Sequence, residues 1–216
     1  MNSVELLGIY GDDSTIALSA WTSTSRDLDA KKRKRIPQLI NQLWTNGHET
    51  PFEKGIVHFL VNCDVASHIH LLKHRISSIN AESARYKELK EDKFYIPDDF
   101  KKLKVSDYMV SEYYGKYWST VLINHAEESN RLYHECLKDA EKILGRKRAK
   151  ESARFFKTYN SQIQADVMFN MRSFHNFLTL RNSEHAQVEI REIAREMLKQ
   201  VKKTKKFNHT LKAWGM

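Results

Sequence analysis

The residues from Lys73 to Tyr86 form the densest group of side chains that could do chemistry in this chain of 216 residues. The run reads KHRISSINAESARY, and the guanidinium forks of Arg75 and Arg85 match a phosphate group or a pyrimidine carbonyl. Small polar side chains lie between or beside them, at Ser77, Ser78, Asn80 and Ser83. They would let backbone amides approach the same ligand. The run therefore predicts a site for a phosphate-bearing substrate, against the alternative of a solvated polar loop.

The same run resembles the signature of the flavin-dependent thymidylate synthases (ThyX), which reads RHRxxSxNExSxRY. Two positions depart from it, because Lys73 stands at the leading arginine and Ala81 at the glutamate, with Glu82 one place later. The other specified positions match in register, at His74, Arg75, Ser78, Asn80, Ser83, Arg85 and Tyr86.

Three further segments resemble the same family in the same order. GHETPFEK at Gly47–Lys54 resembles HxTPFEH, and Glu151 with Arg154 resembles an ExxR pair. NMRSFHNFLTLRNSEHAQVEIRE at Asn170–Glu192 resembles the block NxRSxxNFLxLRxxxxAQxEIR. With the signature run, these segments span most of the chain, which is identified on them as a member of the family.

The resemblance implies a single catalytic domain over residues 1–216, of α/β composition and α+β type. A central antiparallel sheet would be flanked by helices, in a homotetramer with active sites between subunits. The implied reaction is reductive methylation of dUMP to dTMP, with FAD as cofactor and with NADPH and methylenetetrahydrofolate as co-substrates. His70, where many members have glutamine, joins Lys73 and Ala81 in supporting an alternative: a related enzyme that acts on dCMP or leaves a 5-hydroxymethyl group.

The resemblance also implies roles for individual residues. Arg181 would be the catalytic residue that polarises the pyrimidine, and the alternative is a helix C-terminal charge that interacts with the macrodipole. Substrate contacts are expected at His70, Lys73, Ser83, Arg85, Arg154 and Arg181. Flavin contacts are expected at Ser25, His48, Thr50, Glu53, Lys73, Arg75, Ile76, Asn170, Arg172, Asn176, Leu180 and His185.

The two cysteines bear on the route of the reaction. A uracil ring becomes electron-rich at C5 either after a cysteine attacks C6, or when cations polarise its carbonyls and reduced flavin supplies hydride. Cys63 and Cys136 lie outside every matched segment, so the sequence favours the second route. We expect both to be buried free thiols in the cytoplasm, because disulfides are rare in reducing compartments and the first residues do not resemble a secretory signal.

Two other classes of protein compete with this interpretation. His68, His70 and His74 are close enough in sequence to bind a metal ion, but no acidic residue or cysteine at ligand spacing accompanies them. The formal charge of +9 favours anionic partners, including nucleic acid. The basic clusters lack neighbouring aromatic residues, so nucleic acid is not expected as the primary partner. No apolar run approaches the roughly 18 residues that span a bilayer, and no membrane partner is expected.

Periodicity predicts the elements that would position these residues. The signature run itself is expected to be a loop, Ser183 is expected to cap the last helix, and the basic tail is expected to carry an isolated Trp214. The segment Ile16–Ser25 is ambiguous. Strands are predicted at Val4–Tyr10, Gly55–Cys63 and Gln162–Phe169. Helices are predicted at Ala30–Trp44, Val65–Lys73, Tyr108–Leu144, Lys147–Lys157, Arg172–Leu180 and Glu184–Val201.

Overall fold

Four antiparallel strands form one sheet in the order β1-β2-β4-β3, in a computed structural model that describes residues 2–106 and 112–216. The strands are β1 Ser3–Tyr10, β2 Ile56–Asp64, β3 Ser78–Ala81 and β4 Gln162–Asn170. The helices are α1 Asp13–Trp21, α2 Ala30–Thr45, α3 Val65–Leu72, α4 Trp118–Ala153, α5 Met171–Arg181, α6 Val188–Thr204 and α7 Asn208–Ala213. Short 3-10 helices lie at Thr50–Lys54, Asp98–Lys101 and Arg154–Phe156. The predicted mixture of helices and antiparallel sheet is confirmed.

The chain divides into two compact units. The first consists mainly of Asn62–Ile69 and Ala81–Gln164, and the second consists of Ser3–Val61, His70–Asn80 and Ala165–Met216. The single domain expected over residues 1–216 stays a prediction. No helix in the described part of the chain is long and apolar enough to cross a membrane.

A group of phenylalanines forms the centre of the second unit. Phe59 on β2, Phe169 on β4, and Phe174 and Phe177 on α5 are each at most 1% exposed. Their rings pack with centroid separations of 5.1–6.4 Å. Apolar residues recur three or four positions apart in α5, so one face of this helix is buried in the unit and the opposite face meets solvent.

The C-terminal residues belong to the same unit, and the expectation of an isolated Trp214 is wrong. The indole of Trp214 packs against the rings of Trp44 and His175, at centroid distances of 5.7 and 4.9 Å. The carboxylate of Asp13 accepts hydrogen bonds from backbone N–H groups in the first turn of α7, at 2.8 and 3.0 Å. The tail folds because Phe207, Leu211 and Trp214 recur at helical spacing and are buried together.

The first unit is organised by α4, which bends at Gly145, where φ is +73°. Residues before and after the bend pack into one buried cluster that includes Tyr133 and Ala149. The bend agrees with the predicted helix end at Leu144 and with the further helical piece predicted from Lys147. The predicted start at Tyr108 lies outside the described residues, and the described helix begins at Trp118.

Several local expectations are corrected by tertiary structure. The last long helix begins at Val188 with Gln187 as its N-cap, because Ser183 closes a turn in which its carbonyl accepts from the N–H of Ala186. The signature run is not all loop, since it contains β3. The segment Ile16–Ser25, for which the sequence was ambiguous, is helical as far as the end of α1 at Trp21. Cys136 was expected to be buried and is half-buried. Cys63 is buried as expected, and burial raises the pKa of its thiol to about 12.

Candidate functional site

Arg181, at the C-terminal end of α5, lies beside His74 of the signature run. The Nε–H of Arg181 donates a hydrogen bond of 2.9 Å to Nε2 of His74. The imidazole is buried and packs edge-on against Phe177, with ring centroids 4.9 Å apart and planes at 77°. The two terminal amino groups of Arg181 have no hydrogen-bond partner among the described residues, and they can therefore bind a ligand.

The environment of His74 favours the neutral imidazole. Burial, followed by the positive charges of Arg181 and His70, lowers its pKa from 6.5 to about 4. At neutral pH the ring therefore carries one proton. Because Nε2 accepts from Arg181, that proton is on Nδ1.

His70, an expected substrate contact, is joined to the connection between α5 and α6. Its Nε2 lies 3.0 Å from Oε1 of Gln187, and Nε2 of Gln187 donates to Glu189 at 2.8 Å. Because the amide nitrogen of Gln187 faces the carboxylate of Glu189, its amide oxygen faces the imidazole of His70. His70 is therefore the donor in their hydrogen bond. Gln187 was not among the expected site residues, although it belongs to the matched AQ pair.

Several expected flavin positions share the exposed face of α5. Arg172, Asn176 and Leu180 follow one another at four-residue spacing, and all three are exposed. Arg172 donates to Glu49 at 2.7 Å and to Glu53 at 2.8 Å, and these glutamates lie with His48 and Thr50 in the GHETPFEK segment. Glu49 was missed, although that segment contains it. This exposed face presents amide, charged and apolar groups, as a flavin dinucleotide requires.

The remaining expected flavin positions vary in their surroundings. The side chains of Lys73 and Arg75 are exposed, with no hydrogen-bond or ion-pair partner among the described residues, and Ile76 is 75% exposed. Asn170 caps α5 by accepting from the N–H of Ser173 at 2.8 Å, which leaves its amide nitrogen for a ligand. His185 is exposed in the α5–α6 connection. Ser25 is exposed too, and its hydrogen bonds are with Asp27 and Lys32, close to it in sequence.

The first unit holds the other expected substrate contacts. The Nε–H of Arg85 donates to Glu151 at 2.7 Å, and the Ser83 hydroxyl oxygen accepts from the N–H of Arg85 at 3.3 Å. These bonds place the guanidinium of Arg85 beside the matched ExxR pair. Arg154 is exposed and lies over the ring of Phe155, at 5.8 Å from its centroid.

Glu82 does not supply the carboxylate missing at Ala81. Its N–H donates to the carbonyl of Gln164 at 2.9 Å, and its carboxylate accepts from the N–H of the same residue at 3.1 Å. The other carboxylate oxygen lies 2.5 Å from Nζ of Lys87. Glu82 therefore holds the end of β3 against β4 and is not available to a ligand.

The histidines considered as metal ligands do not form a cluster with other ligating side chains. Within residues 2–106 and 112–216, no group of three or more His, Cys, Asp or Glu side chains is placed to hold a metal ion. Nδ1 of His68 is buried without a hydrogen-bond partner in this part of the chain, and burial lowers the pKa of its ring.

Comparisons with known proteins agree with the matched segments. A profile of the family described as thymidylate synthase complementing protein matches residues 5–205. The flavin-dependent thymidylate synthase of Pseudothermotoga lettingae is 33% identical over 88% of this chain and 80% of its own. That of Thermosipho melanesiensis is 35% identical over 91% of this chain and 83% of its own.

A solved structure extends the similarity to the fold. It is the UMP/dUMP methylase PolB from Streptomyces cacaoi, bound with 5-Br dUMP. The TM-score is 0.76 and the sequence identity is 26%, over 100% of this chain and 95% of the other.

Proposed function

The chain belongs to the thymidylate synthase complementing protein family, whose curated members are flavin-dependent thymidylate synthases, and we propose that its own site reductively methylates dUMP to dTMP. The chain is accordingly an enzyme of the methyltransferase type. The observation that carries the residue assignment concerns Arg181. Its Nε is held by His74, and no described residue accepts a hydrogen bond from its terminal amino groups. Such a fork can polarise a uracil carbonyl as negative charge develops on the ring.

The flavin cofactor is assigned to the exposed face of α5 and the segments beside it. When bound and reduced, FAD would supply the hydride that completes the methyl group. Arg172, Asn176 and Leu180 would hold it, with Arg75 and Lys73 offering charge to its phosphates. The other proposed flavin contacts are Ser25, His48, Thr50, Glu53, Ile76, Asn170 and His185.

Nucleotide contacts are assigned to His70, Lys73, Ser83, Arg85 and Arg154, in addition to Arg181. NADPH as reductant and methylenetetrahydrofolate as carbon donor belong to the same proposal, as do a homotetramer with active sites between subunits and a cytoplasmic location. The dUMP analogue bound to PolB supports a nucleotide of the dUMP type.

We expect methylated dUMP to be the product when dUMP and dCMP are offered together. The reaction would contain FAD, NADPH and methylenetetrahydrofolate, and mass spectrometry would identify the nucleotide product. A modified dCMP or a hydroxymethylated product would favour the alternative reaction, which the missing carboxylate at Ala81 and the unusual His70 support. Absence of any modified pyrimidine would contradict both.

Replacing Ala81 by glutamate restores the carboxylate that the family signature has at this position, and so tests whether its absence affects the nucleotide. We expect Ala81→Glu to change the KM for the nucleotide by about tenfold, the effect of about 1.4 kcal/mol, because Glu82 is engaged by β4 and Lys87 and cannot already play this part. Steady-state kinetics with dUMP and dCMP would measure the change. Asn41→Glu, which adds a carboxylate at an exposed position of α2 outside every assigned contact, is the control. Equal kinetics for all three proteins would show that the departure is neutral.

A further inference from the structure

We propose that His74 is a positioning residue whose neutral imidazole holds the Arg181 guanidinium toward the nucleotide without cancelling its charge. The inference rests on the proposed function, because it takes Arg181 as the group that meets the pyrimidine. It adds a role for a residue that the matched signature contains but that the substrate and flavin assignments leave unused.

The argument compares Arg181 with the two other proposed ligand contacts that are arginines held by a side chain. Arg172 is held by Glu49 and Glu53, and Arg85 is held by Glu151, so each of these guanidinium groups is neutralised by at least one carboxylate. Arg181 is held by an uncharged acceptor at 2.9 Å. A full positive charge is therefore available for the ligand, which matters most where the group to be polarised is an uncharged carbonyl.

The surroundings of His74 keep it in the accepting form. Arg181 and the ring of Phe177 face it from α5, and His70 faces it from α3. No carboxylate of residues 2–106 or 112–216 contacts it. The hydroxyl of Ser77 donates to the backbone carbonyl of His74. These contacts fix the plane of the ring and leave Nε2 directed at Arg181. The acceptor would be lost only as the pH falls through about 4.

The geometry also fixes which atoms of Arg181 remain for the nucleotide. A hydrogen bond at Nε uses the side of the guanidinium nearest the chain and leaves both terminal amino groups available. An arginine held in this way needs less ordering when its ligand binds, since one acceptor already restricts its rotation. Removal of the acceptor would leave Arg181 charged but poorly oriented.

Three substitutions at His74 test separately the orientation of the Arg181 guanidinium and the preservation of its charge. His74→Gln can place an uncharged oxygen near the position of Nε2, and we expect its turnover to stay within about tenfold of the wild type. His74→Leu removes the acceptor, and we expect a loss of about a hundredfold, the typical effect of a misplaced catalytic group. His74→Glu keeps an acceptor but cancels the charge, and we expect a loss of about 100- to 1,000-fold.

The matched controls are the same three substitutions at His58, which pairs with Asp166 in the same unit. We expect none of them to change the kcat or the nucleotide KM by more than about twofold, because His58 has no assigned role. The flavin absorbance spectrum and the circular dichroism of every variant would be recorded, so that a folding or cofactor defect is recognised.

Nitrogen NMR of the histidine side chains tests the contact without any turnover. In the wild type we expect Nε2 of His74 to be unprotonated at neutral pH, with the signal assigned by its absence from His74→Gln. A protonated Nε2, full turnover in His74→Leu, or equal turnover in the Glu and Gln variants would each overturn the inference. A wild type that modifies no pyrimidine would instead overturn the proposed function.

Discussion

Arg181→Ala is expected to lower kcat by about 100- to 1,000-fold, the range found when a single preorganised donor to a developing negative charge is removed. The two terminal amino groups of Arg181 have no hydrogen-bond partner in the described part of the chain, and alanine removes both. The side chain is only partly buried, so the free energy of unfolding should change by less than about 1 kcal/mol. Product formation from dUMP, the flavin spectrum and thermal unfolding would be compared with the wild type.

Two further variants would be measured as comparisons for Arg181→Ala. Arg181→Lys keeps a positive charge but lacks the fork, so its turnover should lie between those of the wild type and Arg181→Ala. Arg131→Ala removes an exposed arginine that pairs with Glu128 and Glu135 on α4, and its turnover should match the wild type. Wild-type turnover in folded Arg181→Ala would remove this residue from the mechanism.

Phe174→Ala is expected to reduce the free energy of unfolding by about 3–5 kcal/mol. Its ring is 0% exposed and packs against Phe59, Phe169 and Phe177, so truncation leaves a cavity between α5 and two strands. Because α5 also carries Arg181 and the exposed face that is proposed to bind flavin, the remaining folded protein should bind FAD more weakly. Urea unfolding followed by circular dichroism would give the change in stability.

Ile143→Ala is the control for this cavity. Its side chain is 86% exposed beside the bend in α4, and its loss should change the free energy of unfolding by no more than about 0.5 kcal/mol. Equal unfolding midpoints for Phe174→Ala and Ile143→Ala would show that the phenylalanine cluster does not stabilise the second unit.

Local sequence predicted those elements whose signals are local. The apolar spacing of α2 was sufficient to predict a helix at Ala30–Trp44, and the structure has it at Ala30–Thr45. The start of α6 was not predictable in this way. Ser183 is a favoured N-cap residue and Gln187 is not, yet the helix begins after Gln187. Hydrogen bonds between α6 and the α5–α6 connection decide where this helix begins. The burial of Trp214 is also decided by a tertiary contact, in this case with Trp44.

The same distinction holds for the site. The signature run and its flanking segments indicated Arg181, Arg85 and the α5 positions because their order and spacing resemble a known family. The bond between His74 and Arg181 joins residues 107 apart, and no periodicity or local motif reports such a pairing. The part played by Glu82 was likewise not predictable from the sequence, because its carboxylate contacts Gln164, which is 82 residues away in the chain.

The order of synthesis has a consequence for the second unit, in which Asp13 caps α7 and Trp214 packs against Trp44. The hydrogen bond between Asp13 and Thr210 joins residues 197 apart, so this core closes only after α7 has been synthesised. The first unit draws most of its residues from the continuous stretch Ala81–Gln164. It can therefore begin folding earlier, whereas β1, α1 and α2 must wait, with apolar surfaces exposed, for α7.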